Sequence, residues 1–130
     1  MPEMSKAKQE KELKLLKRKC LFLWKARVKE RAGKKCEICG KSGKKKRITG
    51  HHIESFSVNK ALRYDERNGI SCCVTCHKFG RFAMHKSFCA TYNFMSQKRM
   101  GDFEYLLLHY QDKVELTKEY LLDKIKELEI

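Results

Sequence analysis

The chain has 130 residues, enough for one domain with a modest core. It has no apolar run near the ~20 residues that cross a bilayer and no apolar signal segment at its charged start, so a cytoplasmic protein with no membrane partner is expected. Seven cysteines in such a chain favour metal ligation and free thiols over a disulfide framework. The net charge of +14 is segregated, with 18 basic and 5 acidic side chains in residues 1–50 against 4 and 8 in residues 102–130. That imbalance points to a polyanion partner.

Leu13, Leu16, Cys20, Leu23, Trp24 and Val28 recur mostly at spacings of three and four, which predicts one amphipathic helix over residues 6–32. Gly33 is placed to stop it. Residues 34–50, rich in glycine and lysine around Cys36 and Cys39, read as a knuckle and loop. A short strand is expected over 47–53, a polar loop over 54–68, and a second strand over Gly69–Cys73. Asn68-Gly69 also suits a hairpin turn. A helix is plausible from Thr75, with Gly80 as an interruption. Phe88, Tyr92 and Met95 mark another helical face ending near Gly101, and Phe79, Phe82, Phe88 and Tyr92 are expected in the core rather than as base-stacking platforms. Asp102 and Thr117 can each cap a further helix. These elements give an α+β fold in three parts: a basic N-terminal helix over 1–33, a zinc-stapled core over 34–101 and a C-terminal helical extension over 102–130.

Cys36-Glu37-Ile38-Cys39-Gly40 and Cys73-Val74-Thr75-Cys76 are two C-x-x-C knuckles. A two-residue spacer lets both thiolates face one ion, and two knuckles complete a tetrahedral four-thiolate zinc site. Gly40 suits the tight turn. Cys72 competes with Cys73, but strand alternation turns it the other way. Cys20 and Cys89 are expected as buried free thiols. Such a zinc is structural, because four thiolates leave no open position for water.

Four of the five histidines fall between residues 51 and 85. The order is knuckle, His51-His52, Asn68, knuckle, His77. In this the sequence resembles the HNH (ββα-metal) endonuclease family, over about a third of the chain. The resemblance implies a small zinc-stapled ββα-metal core with flanking amphipathic helices. It makes His51 a ligand of a catalytic Mg²⁺ or Mn²⁺, His52 the general base, Asn68 the tether of the loop and His77 a second ligand. His85 is a candidate third ligand, a phosphate contact or a surface residue. Neutral imidazole near neutrality suits the base, and neutral ligands leave the cation's charge to meet a phosphate.

The basic segment Lys17 to Arg31, the run Gly50-His51-His52-Ile53, Leu62-Arg63-Tyr64, Asn68 and Cys76-His77 are similar to phage recombination nucleases of the NinG/Rap type, in which an asparagine stands where this chain has His77. The knuckle order and His85-Lys86 are similar to endonuclease VII of phage. These likenesses imply branched DNA, such as a Holliday junction, as substrate. One catalytic centre cuts one strand, so junction resolution calls for a homodimer. The long apolar stripes of 13–28 and 103–128 offer material for one. The candidate phosphate contacts are Lys17, Arg18 and Arg27 on the helix and Lys44, Lys45, Lys46 and Arg47 on the loop. The rival readings are a noncatalytic zinc-ribbon DNA-binding module, which gives His51, His52, Asn68 and His77 no task, and a sequence-tolerant nicking enzyme.

Overall fold

The structure, a computed structural model, describes residues 5–42, 47–79 and 83–129. Helix α1 (Lys6–Arg31) starts where the Ser5 hydroxyl accepts the Lys8 amide at 3.3 Å. It stops where Gly33 and Lys34 take left-handed φ values of 69° and 59°. Their amides turn back onto the Glu30 and Lys29 carbonyls at 2.9 and 2.8 Å, satisfying acceptors that the last helical turn leaves open.

Strands β1 (Ile48–His52) and β2 (Gly69–Cys73) form an antiparallel hairpin, with His52 opposite Gly69, His51 opposite Ile70 and Thr49 opposite Cys72. A loop ending in a 3-10 turn over Glu66–Asn68 joins them. Asn68-Gly69 is therefore not a hairpin turn: Asn68 closes the 3-10 turn, and Gly69 opens β2 with extended φ −128°, ψ 141°.

Paired residues share a face of the hairpin. Gly50, His52 and Gly69 face α1, whose fully buried Trp24 and Val28 lie directly on the glycine backbone. His51, Ile70 and Cys72 face the other way, and there Ile70 and Cys72 join Leu62, Met95 and Leu106 in one core. That side is covered by α2 (Phe88–Lys98) and α3 (Met100–His109). Helix α4 (Lys118–Glu129), with Thr117 Oγ1 accepting the Tyr120 amide at 3.1 Å, lays Leu121, Ile125 and Leu128 against Cys20, Trp24 and Val28 of α1. Much of the apolar surface that argued for a second copy is thus buried within the chain, because the acidic C-terminal helix pairs with its own basic N-terminal helix.

Several local expectations are corrected. The helix expected from Thr75 takes the form of one π-type turn, Thr75–Phe79; Gly80 and Phe82 lie outside the described residues. The break between α2 and α3 falls at Arg99 (φ −140°, ψ 49°), so Gly101 lies inside α3 and Asp102 in its first turn. The Asp102 carboxylate instead accepts the Arg99 guanidinium at 2.8 Å. The buried residues of α2 are Thr91 and Met95; this turns Cys89 to solvent. Phe88 and Tyr92 sit beyond the core edge, 80% and 51% exposed.

Candidate metal centres and groove

The first knuckle is shaped by its backbone. Gly40, at φ 77°, donates to the Cys36 carbonyl at 2.9 Å, and the Cys39 amide lies 3.4 Å from the Cys36 sulfur. Glu37 then docks the knuckle on the outer edge of β2. Its amide donates to the Ser71 carbonyl and its carboxylate accepts the Ser71 amide, both at 2.7 Å. The second knuckle runs from the end of β2 into the π-type turn. Cys36, Cys39, Cys73 and Cys76 offer sulfurs that all lie within 4.8 Å of one another, a set that could hold a zinc ion. Burial pushes the Cys36 and Cys76 thiols up. Burial also pushes Cys73 up, but the Cys76 amide and the neighbouring thiols bonded to its sulfur outweigh this and hold it down at about 7. Cys72 is buried, and burial pushes its thiol up to about 12; it stays a protonated core residue.

The described residues hold a second cluster. His51, His77 and His85 offer ring nitrogens within 4.8 Å of one another. His51 is supplied by β1, His77 by the π-type turn, and His85 by the segment that folds back from it. Two backbone bonds fix that return: Met84 N–H to Cys76 C=O at 2.7 Å and His85 N–H to His77 C=O at 3.0 Å. They bring the two Nε2 atoms to 2.6 Å. Burial lowers His51 to about 3 and His77 to about 4, with the neighbouring imidazoles adding to both shifts, so both rings are neutral at physiological pH. His51 Nδ1 is buried with no hydrogen-bond partner among the described residues. A lone imidazole nitrogen in that position is costly unless something binds it, so the donor set fits a divalent cation.

His52 is on the other face of the strand. Its ring stacks on Trp24 with centroids 3.8 Å apart, and its Nε2 lies 2.8 Å from the Arg63 carbonyl. A carbonyl only accepts, so Nε2 carries the hydrogen and Nδ1 keeps the lone pair. Burial lowers the ring to about 4, with the carbonyl bond opposing the shift.

Asn68 is fully buried at the base of the loop. Its Oδ1 accepts the Glu54 amide at 2.7 Å, and its Nδ2 donates to the Glu54 and Leu62 carbonyls at 3.2 and 3.0 Å. One side chain therefore joins the start, middle and end of the loop that also supplies the Arg63 carbonyl.

The three histidines and His52 line an open groove of about 990 Å³, walled by Leu21 and Lys25 of α1 and by residues of α2 and α3. Lys14, Arg18, Lys25 and Lys29, spaced by four and seven residues, share one face of α1 that leads to this groove. Arg18 was expected among the phosphate contacts; Lys25 was not, because its face becomes apparent only once the groove is placed. Arg27 pairs with Glu66 at 3.4 Å on another face, and Lys17 is half-buried. Arg47 is exposed just before β1. Lys44, Lys45 and Lys46 lie outside the described residues.

Residues 36–79 match the family model for HNH endonuclease. The HNH match begins at the first knuckle, ends with the π-type turn, and contains His51, His52, Asn68 and His77. It stops short of His85, which only the backbone return places beside His77. No curated protein and no solved structure matches the chain. The HNH match points to a DNA-cutting, metal-dependent chemistry. No helix among the described residues is long and apolar enough to cross a membrane.

Sequence reading also missed what anchors the HNH segment to the helices. Arg31 and Arg99 both donate to the Gly69 carbonyl, at 2.7 and 2.6 Å, and both pair with Glu37 at 3.5 Å. The Glu37 position inside a C-x-x-C spacer was the one available hint.

Proposed function

We propose that the chain is a divalent-metal-dependent DNA endonuclease whose centre is built from His51, His77 and His85 beside His52. The observation that carries the reading is the convergence of three imidazoles, one with a partnerless buried nitrogen, in a groove approached by a basic helix face. His51, His77 and His85 would hold a divalent cation such as Mg²⁺ or Mn²⁺, which would supply positive charge to offset the negative charge that builds up as a phosphodiester is cleaved. His52 is the base. The Arg63 carbonyl holds its Nε2–H, so Nδ1 is free to take a proton from water. Asn68 acts through that carbonyl by fixing the loop that presents it. Cys36, Cys39, Cys73 and Cys76 hold a structural zinc that gives the segment its shape. The α1 face around Arg18 and Lys25 guides the phosphate backbone.

A noncatalytic zinc-binding module would leave the trihistidine cluster without a task. Junction resolution needs two symmetric centres, and the stripes that argued for a second copy are largely paired within the chain, so a nicking nuclease is the reading put forward. Incubation of supercoiled plasmid with Mg²⁺ or Mn²⁺ tests it. His52→Ala should keep DNA binding and lose ~10²–10⁴-fold in rate, and His51→Ala should need far more metal. Normal cleavage by both variants would remove the assignment. Preferential cutting of a four-way junction by a dimer would restore the resolvase reading.

A further inference from the structure

The wall of the groove formed by α2 is unlike a protein core. Phe88 is 80% exposed and Tyr92 51% exposed, yet both line the groove that contains His51, His77 and His85. The two rings lie 6.4 Å apart at an interplanar angle of 34°, and Tyr92 meets Phe103 at 5.4 Å and 89°. Tyr92 is therefore held by an edge-to-face contact while half its surface stays open. Phe88 follows His85 by three residues, so their Cα atoms are at most about 10 Å apart, and both rings line the same groove as the trihistidine cluster.

From this we infer that Phe88 and Tyr92 form a stacking platform for an unpaired base next to the scissile phosphate, and that the preferred substrate is DNA with a locally unpaired strand. The inference rests on the endonuclease reading. Exposed aromatic rings in a groove call for a partner with flat apolar faces, and the cationic approach through Arg18 and Lys25 calls for an anion. A nucleic-acid strand has both in alternation, and stacking on aromatic side chains beside a basic track is how single strands are held without sequence readout. In an intact duplex the base faces are already stacked on each other and unavailable, so the platform discriminates in favour of bulges, mismatches, gaps and single strands.

The test measures binding without turnover, using zinc-loaded protein and no added Mg²⁺ or Mn²⁺. The probes are a single-stranded oligonucleotide carrying 2-aminopurine, a duplex with one unpaired 2-aminopurine, and the fully paired duplex. Stacking should change the fluorescence of the unpaired probes on binding. Phe88→Ala and Tyr92→Ala should weaken binding of those probes roughly five- to a hundredfold and paired-duplex binding less than about twofold. Tyr92→Phe, which keeps the ring, should bind like the parent. Both side chains are largely exposed, so truncation leaves the core intact, and a circular dichroism melt checks this. Equal losses on paired and unpaired probes, or no loss on either, would overturn the platform, whereas the endonuclease reading is judged separately, on plasmid cleavage by the parent protein. A parent protein that self-associates through these rings, with DNA binding unchanged in the alanine variants, would overturn it as well. Failure of the parent to bind any probe or cut plasmid would remove the nuclease reading itself.

Discussion

Gly69 is the sharpest probe of how α1 sits on the hairpin. Its φ of −128° and ψ of 141° are ordinary extended values, so alanine meets no backbone strain there. By stiffening the unfolded chain, alanine should even stabilise by ~0.4–1 kcal/mol. The opposing effect is steric. A Cβ at residue 69 would lie 2.4 Å from Val28 Cγ2, 2.8 Å from Trp24 Cζ2 and 3.2 Å from Val28 Cγ1. Carbon atoms in contact prefer about 3.5–4.0 Å, so the overlap exceeds an ångström. Val28 and Trp24 are fully buried, and a helical valine has essentially one χ1 state. Overpacking of this kind typically costs ~1–3 kcal/mol; with two stiff neighbours, Gly69→Ala should lose about 2–3 kcal/mol net. Val28→Ala alone should lose about 2 kcal/mol, from two buried methyl groups and a small cavity. In the double variant the new methyl enters the space the valine vacates. The sum expected from independent sites is ~4–5 kcal/mol, whereas the double variant should lose only about 2–3 kcal/mol. Urea unfolding of the zinc-loaded, reduced protein measures all four corners of the cycle. Additivity within ~0.5 kcal/mol, or a Gly69→Ala protein as stable as the parent, would show that α1 does not rest on this glycine.

Cys39→Ser should lose its zinc and its cooperative melt together, read by metal content and circular dichroism; a well-folded, zinc-free variant would contradict a structural site. Binding to duplex DNA should weaken with salt, and Lys25→Ala and Arg18→Ala should each lower the slope of log affinity against log salt by roughly 0.9. Arg27→Ala, already paired with Glu66, should leave that slope unchanged; the reverse ranking would place the DNA on another face. The buried Cys20 thiol is pushed by burial from its ordinary 9.0 to about 11. Between those values the unfolded chain releases a proton that the folded chain keeps, so stability falls as pH rises through the window, by about 2–3 kcal/mol in full. Cys20→Ala should flatten the alkaline limb of a stability–pH curve, and an unchanged limb would show that the thiol is not confined.

The features that were legible in the sequence are those whose partners are close in the chain or whose spacing repeats. The α1 stripe, the C-x-x-C spacers and the two strands of the hairpin are of that kind, and their elements appear within a residue or two of where periodicity and glycine placed them. His85 was ambiguous because an eight-residue interval from His77 has no helical or strand meaning; only the backbone return from the π-type turn makes the two rings neighbours. Phe88 and Tyr92 carry core-like periodicity, but they lie past the edge of what α2 buries, and periodicity cannot say where a core ends. The Arg31–Glu37–Arg99 network joins positions six to 68 residues apart with no pattern to announce it.

That network has a kinetic meaning for a zinc-loaded chain. Glu37 lies between the two cysteines of the first knuckle and at the same time pairs with the arginine that ends α1 and the one that separates α2 from α3. A knuckle that opens to release its ion would have to withdraw the Glu37 carboxylate, leaving two guanidinium groups facing one carbonyl. Metal escape and helix release would then be a single event. The residence time of the zinc and the lifetime of the folded chain become one clock, and a chelator in excess would read the rate of unfolding.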